Sequence, residues 1–110
     1  MANAFKRKLE RNIGTTLTQI DSYAVASSTE TTLIGLTIAN TTAAAVDVDV
    51  TLNNGTNDTY LVKTAPVPVG GSLIAVGGDQ KVVLEPNDMI KVKSSASSSV
   101  DVIMSLLEIS

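Results

Sequence analysis

The chain has 110 residues, a net charge of −3, and neither cysteine nor histidine. A chain of this length forms one domain and can bury a core without help from a metal or a disulfide. The lack of cysteine excludes disulfides and thiolate zinc sites, and the lack of histidine removes the usual general base and the commonest metal ligand. Because only one Phe and two Tyr are present, the core must consist of aliphatic side chains.

The charge is unevenly distributed along the chain. Residues 1–11 carry four basic side chains and Glu10, a net +3, whereas residues 12–110 carry four basic and ten acidic side chains, a net −6. An acidic body argues against nucleic acid as a partner, because affinity for the phosphate backbone comes mostly from Lys and Arg. The basic residues of the first segment are Lys6, Arg7, Lys8 and Arg11.

The sequence predicts neither a secretory signal nor a membrane-spanning segment. The residues after Arg11 are too polar to form the apolar region of a signal. The longest apolar run, residues 100–109, is interrupted by Asp101 and has about half the length that a spanning helix needs. We therefore expect a soluble protein with no membrane partner.

The first segment predicts a short helix or a loose arm. Asn3 is an acceptable N-cap, and Phe5, Leu9 and Ile13 recur at intervals that would align them on one helical face. A helix this short is unstable alone in water, so the segment must pack against something or remain disordered. We interpret residues 1–12 as a docking arm and residues 13–110 as the β-sandwich domain.

From Ile13 onward the hydrophobic period changes to two, which indicates strands. In the clearest case, residues 46–52, four apolar side chains alternate with Asp47, Asp49 and Thr51, which we expect to point to water. About eight such runs, separated by turn-forming residues, predict an all-β antiparallel β-sandwich, with jelly-roll or immunoglobulin-like connectivity left open. The other runs cover residues 13–20, 32–40, 59–63, 72–76, 81–84, 89–93 and 100–109.

Residues 81–93 are the best candidate for a hairpin. Pro86 favours the second position of a type I turn, and Asn87 and Asp88 tolerate the positions that follow. Within such a hairpin, the apolar residues on the two sides of the turn would face each other across one strand pair. These residues are Val82 and Leu84 on one side, and Ile90 and Val92 on the other.

The run over residues 100–109 has apolar residues on both faces. Val100, Val102, Met104 and Leu106 share one face, while Ile103 and Leu107 lie on the other, which a sandwich normally leaves to water. Ile103 and Leu107 are either ordinary surface residues or are covered by the N-terminal segment or another subunit. We favour docking for the basic segment, because a solubility tail would not need Phe5 and Leu9. The candidate subunit-interface residues are Phe5, Lys6, Arg7, Lys8, Leu9, Arg11, Ile103 and Leu107.

No motif predicts catalysis, a cofactor or a metal site. The aspartates at positions 47, 49, 58, 79, 88 and 101 match no calcium loop and are typical of solvated strands and turns. The Ser and Thr hydroxyls have no histidine to activate them. The glycine pairs at 70–71 and 77–78 lack the ending of a phosphate-binding loop and predict tight turns. We therefore expect a non-enzymatic protein with no small-molecule substrate.

Four segments within residues 60–109 carry a distinctive series of strand and turn signatures: Tyr60-Leu61-Val62-Lys63, Ala65 to Leu73, Leu84 to Val92 and Ser99 to Val102. With these segments, residues 60–109 resemble small all-β virion modules of tailed bacteriophages, and residues 34–60 look like the first half of such modules. The matching features are strand and turn signatures rather than catalytic residues, so no site residues carry over. The resemblance covers residues 13–109 and implies a β-sandwich in a phage particle.

The resemblance implies a structural role. The first expectation is a capsid cement or decoration subunit of the virion, assembled in the cytoplasm of the bacterial host, with the major capsid protein or other virion subunits as partners. A homo-oligomer is expected, a trimer first, because three-fold lattice positions favour it. One alternative is a neck or tail/fibre-attachment component at the head–tail junction. The other is a small carbohydrate-binding module, which would depend on Tyr23 and Tyr60 because tryptophan is absent.

Overall fold

The computed structural model describes residues 3–77 and 80–110, which form nine strands and one short 3-10 turn. The predicted glycine turn at 77–78 and the acidic position Asp79 extend into residues outside these ranges. The elements are β1 (Asn3–Ile13), β2 (Thr18–Gln19), η1 (Ile20–Ser22), β3 (Glu30–Asn40), β4 (Val46–Asn53), β5 (Asp58–Val67), β6 (Ser72–Val76), β7 (Val82–Leu84), β8 (Met89–Ser94) and β9 (Val100–Ile109).

The strands form two antiparallel sheets. Sheet A has the order β1-β9-β3-β6, with β7 also paired to β3, and sheet B has the order β2-β8-β4-β5. Since β6 and β7 pair with different parts of β3, they share one position in the sheet. If β6 and β7 are counted together as the sixth strand, β8 becomes the seventh strand and β9 the eighth. Sheet A then has the order 1-8-3-6 and sheet B the order 2-7-4-5, which is the order of a jelly roll. The predicted all-β antiparallel sandwich is confirmed, and the strand order is jelly-roll rather than immunoglobulin-like.

The core is supplied mainly by alternate residues of the long strands and is aliphatic, as expected, except for Tyr23, which is 8% exposed. In β9, Val100, Val102, Met104 and Leu106 are at most 1% exposed, as the alternation predicted. Strand β4 adds three buried valines, whose β-branched side chains suit a pleated, packed surface. The largest fully buried side chains are Ile13, Ile20, Leu33, Leu36, Ile38, Leu84, Ile90, Met104 and Leu106.

The basic N-terminal segment is a strand, and the expectation of a helix or a loose arm was wrong. Strand β1 pairs with β9 in continuous register from Asn3–Ile109 to Glu10–Val102. The four-residue spacing of Phe5 and Leu9 fits a strand as well as a helix, because side chains of a strand repeat every two residues. The register then shifts before Ile13, which turns into the core and is only 2% exposed.

The predicted hairpin over residues 81–93 was also wrong: the chain does turn at Pro86, but in a type II turn rather than the predicted type I turn. The amide of Asp88 donates to the carbonyl of Glu85 at 2.9 Å, and Asn87 has a φ of 76°, which fits the third position of a type II turn. The flanking strands diverge, however, because β7 pairs with β3 in sheet A and β8 pairs with β2 and β4 in sheet B. Leu84 and Ile90 therefore reach the core from opposite sheets.

Candidate interaction surface

Two rows of largely apolar side chains cross the outer face of sheet A. Each row runs from β1 through β9 and β3 to β6 or β7, and its neighbours are partners in the strand registers. Cross-strand partners on one face of a sheet lie close enough for their side chains to contact each other. The first row is Phe5, Leu107, Thr32 and Val83, and the second is Leu9, Ile103, Thr37 and Ile74.

The large side chains of these rows are open to solvent. Phe5 is 77% exposed, Ile74 69%, Val83 64% and Ile103 53%. An outer sheet face that meets only water normally carries polar residues, and a contiguous apolar patch on a soluble domain usually marks an interaction site. The outer face of sheet A therefore has the composition of a surface that another molecule covers.

The two rows are separated by a row of small residues. Between them, Arg7 on β1 pairs with Ser105 on β9, which in turn pairs with Gly35 on β3. The flanking rows are roughly 13 Å apart, because four residues of strand separate Phe5 from Leu9. The outer face of sheet A is thus two apolar ridges with a shallow trough between them, and the guanidinium of Arg7 marks the β1 end of the trough.

The structure brings together four of the predicted interface residues. Leu107 lies opposite Phe5, and Ile103 lies opposite Leu9, so the apolar residues of β1 and β9 form the first half of both rows. Sequence reasoning missed Val83 and Ile74, which complete the rows. They lie in strands of three and five residues, which are too short for an alternating pattern to be recognised.

The lysines of β1 point away from the outer face of sheet A and bind other parts of the chain. The ammonium of Lys6 pairs with Glu108 at 2.9 Å, and that of Lys8 lies 5.3 Å from the centre of the Tyr23 ring. Within the described residues, by contrast, Arg7 and Arg11 form no ion pair. Of the four predicted cations, the two arginines are therefore the ones available to a partner.

Tyr23 and Glu108 form a polar cluster beneath β1. The phenol of Tyr23 donates to Glu108 at 2.7 Å, which leaves Thr31 to donate to the phenol oxygen at 2.9 Å. Burial, opposed in part by the Thr31 hydrogen bond, raises the pKa of Tyr23 to about 12. The hydrogen bond from Tyr23, followed by that from Lys6, lowers the pKa of Glu108. The cluster fixes β1 and β9 to the segment that follows η1.

The outer face of sheet B is polar. Two residues of β4 that were expected to point to water are buried. Asp49 is only 8% exposed, because it accepts a hydrogen bond from the amide of Thr64 at 2.7 Å and pairs with Lys93 at 3.8 Å. Thr51 is fully buried, and its hydroxyl donates to the carboxylate of Asp58 at 3.0 Å. An open cavity of about 440 Å³ lies here, but no group of three or more potential metal ligands occurs in the part of the chain that the structure describes. The cavity is lined by Thr15, Asp47, Asp49, Lys63, Thr64, Lys93, Ser94 and Ser95.

The described residues contain no helix with the length and apolarity to cross a membrane. Comparison with protein-family models found no match. Comparison with curated proteins likewise found no match.

Proposed function

We propose that this chain is a non-enzymatic structural subunit of a bacteriophage particle, specifically a capsid cement or decoration protein. It would assemble in the host cytoplasm and stabilise the virion through contacts with the major capsid protein or other virion subunits. The observation that carries the proposal is the outer face of sheet A, where Phe5, Ile74, Val83 and Ile103 are each more than half exposed. This observation supports the structural role that the resemblance to phage virion modules implies.

A single contact through the outer face of sheet A would be weak, and a repeated lattice offers many such contacts. Complete burial of a large apolar side chain contributes about 1.5–3 kcal/mol, so a handful of them roughly offsets the 4–15 kcal/mol cost of association. A single copy would bind weakly, whereas an oligomer that engages several lattice sites at once would bind tightly. Such avidity favours a homo-oligomer, and a trimer is the first expectation because three-fold lattice positions favour it.

The carbohydrate-binding alternative has less support. Tyr23 is buried and cannot offer a ring face to a sugar. Tyr60 is exposed, but the ammonium of Lys63 lies 4.6 Å from the centre of its ring. A glycan array with Tyr60→Ala as the control tests this alternative directly: binding that disappears in the variant would favour it over the structural role.

The cement proposal is tested with virions of the phage that encodes the chain, prepared without it. Purified wild-type protein and Ile103→Glu are added, and bound copies are counted by quantitative mass spectrometry and located by electron cryomicroscopy. Val69→Glu is the matched control, because it places the same charge on another exposed apolar residue, in the β5–β6 connection.

We expect wild type and Val69→Glu to decorate the capsid and to raise the temperature at which it releases its genome. Ile103→Glu should remain folded but not bind. Normal capsid binding by folded Ile103→Glu would contradict the proposed surface. Density confined to the neck would replace the cement role with the head–tail alternative. Light scattering of the purified protein would show whether a trimer forms before it meets the particle.

A further inference from the structure

One long edge of sheet A has no partner strand among the described residues. Strand β1 pairs with β9 on one side, and no described strand pairs with its other side. The β1–β9 register is uninterrupted over eight pairs, from Asn3–Ile109 to Glu10–Val102, so the opposite edge presents an equally regular series of amides and carbonyls. A regular, accessible edge of this kind can accept an added strand through main-chain hydrogen bonds.

We propose that the open edge of β1 binds an extended segment of a different protein, whose residues alternate apolar–acidic–apolar on one face. The proposal deepens the proposed function by naming the chemistry of the partner. It rests on that function only for the source of the segment, because its test uses a free peptide.

The side chains of β1 specify this alternation. On the outer face of sheet A, Phe5, Arg7 and Leu9 follow one another at every second residue, so an added strand would place three successive same-face residues beside them. Apolar residues beside Phe5 and Leu9 would lengthen both apolar rows by one strand. A carboxylate beside Arg7 would pair with a guanidinium that no described residue neutralises.

The lysines on the inner face of β1 do not require a carboxylate on the incoming strand. Lys6 is already paired with Glu108, and Lys8 lies against the ring of Tyr23. The incoming segment therefore needs one acidic residue aligned with Arg7, rather than a continuous acidic run. This requirement is more specific than a general attraction between a basic segment and an acidic surface, because it fixes the position of one carboxylate.

A second copy of β1 is a poor occupant of the edge. Two copies paired antiparallel about a point between Lys6 and Lys8 would place a cation directly opposite a cation, because positions 6, 7 and 8 are all basic. Parallel pairing in register would do the same along the whole basic run. Like charges directly opposite each other destabilise strand pairing, and natural edge strands use lysine to prevent self-association. The charges of β1 thus select a different, acidic segment.

The test uses a synthetic peptide with Val-Thr-Glu-Thr-Val at its centre, and a control peptide in which Lys replaces the Glu. The central sequence reads the same in both directions, so the charged residue can align with Arg7 in a parallel or an antiparallel arrangement. Affinity is measured by fluorescence anisotropy on the full chain and on Arg7→Glu. Residue-resolved hydrogen exchange then shows which β1 amides the peptide protects.

We expect the Glu peptide to bind wild type about tenfold more tightly than the Lys peptide, and Arg7→Glu to reverse the preference. We also expect protection of the β1 amides that point away from β9. Protection elsewhere on the outer face of sheet A, or equal affinity for both peptides, would overturn the proposal. Protection of these amides in the protein alone, with formation of a dimer, would overturn it in favour of a second copy.

The experiments distinguish a failure of the proposed function from a failure of the strand-addition proposal. Val83 lies on β7 and is separated from β1 by β9 and β3, so Val83→Glu should abolish capsid binding while leaving the affinity for the peptide unchanged. A chain that is absent from virions but binds the Glu peptide would contradict only the proposed function. A chain that decorates capsids but shows no protection along β1 would contradict only the strand-addition proposal.

Discussion

The phenol of Tyr23 donates a 2.7 Å hydrogen bond to the carboxylate of Glu108, a residue of β9 that also pairs with Lys6 of β1. One carboxylate therefore joins three parts of the chain: the edge strand, its partner strand and the connection that follows η1. The cluster lies on the opposite side of sheet A from the apolar rows, so its variants test the stability of β1 without changing the proposed interaction surface.

The first prediction concerns alkaline pH. The pKa of Tyr23 is raised from 10.0 to about 12, so the folded state favours the neutral phenol. This contribution to stability is complete below pH 10 and is lost as the pH rises towards 12. We expect Tyr23→Phe to cost roughly 1–3 kcal/mol at neutral pH, through the lost hydrogen bonds, and to lose less stability than wild type above pH ~10. Urea unfolding at a series of pH values measures both effects.

Tyr60→Phe is the matched control, because Tyr60 is exposed and forms no hydrogen-bonded cluster with the other described residues. It should leave the stability at neutral pH nearly unchanged. If both Phe variants had the same neutral-pH stability, the Tyr23 cluster would not contribute to the fold as described.

The second prediction concerns acid. Hydrogen bonds from Tyr23 and Lys6 lower the pKa of Glu108, so the carboxylate stabilises the folded state above the ordinary glutamate pKa. That stabilisation is lost as the pH falls below about 4.3 and through the lower pKa of the folded state. Glu108→Gln should be less stable than wild type at neutral pH and should lose less stability on acidification. Glu85→Gln, in the exposed turn after β7, should retain the acid response of wild type.

The third prediction separates the core from the interaction surface with two adjacent leucines of β9. Leu106 is fully buried, so Leu106→Ala should cost about 2–5 kcal/mol of unfolding free energy. Leu107 is only partly buried and belongs to the first apolar row, so Leu107→Ala should cost about 1 kcal/mol or less. Capsid binding should fall in Leu107→Ala although the protein is folded. Equal destabilisation by the two substitutions would place Leu107 in the core instead.

The fourth prediction concerns a buried amide at the end of β3. The side-chain nitrogen of Asn40 donates to the carbonyls of Ala44 and Val67 at 2.8 and 3.1 Å, and its oxygen accepts from the amide of Thr42 at 2.9 Å. Asn40→Ala would leave these groups without partners and should cost about 1–3 kcal/mol or more in thermal or urea unfolding. Asn57→Ala, an exposed asparagine in the β4–β5 turn, is the control and should change stability little.

The sequence predicted the alternating strands well, because period-two patterns identify inward residues without knowledge of the topology. It correctly separated the two faces of β9, including Ile103 and Leu107. It failed for Phe5 and Leu9, since a four-residue spacing is compatible with both a helix and a strand. The hairpin failed because a turn motif fixes only the local chain reversal, and the sheet that each flanking strand joins depends on distant residues such as those of β3.

The two apolar rows could not be predicted from any single segment. They form because β9 lies between β1 and β3, so residues near positions 5, 32, 83 and 107 become neighbours. The sequence indicated the half of each row that β1 and β9 supply. In β1 the apolar residues lie between basic ones, and in β9 they lie on the face that an alternating strand normally leaves polar. The contributions of β6 and β7 depend on the pairing of short strands with β3, which only the structure shows.

The central position of β9 has a consequence for synthesis of the protein. The ribosome completes β1 after residue 13, but the strand that β1 pairs with is made only when residues 100–109 emerge. Pairing over such a separation in sequence is intrinsically slow, and β1 cannot pair with β9 in the nascent chain until residues 100–109 have been made. A copy interrupted before residue 100 would lack Ile103 and Leu107 and could not form either row. Order of synthesis thereby reserves the complete outer face of sheet A for copies in which β9 has been made.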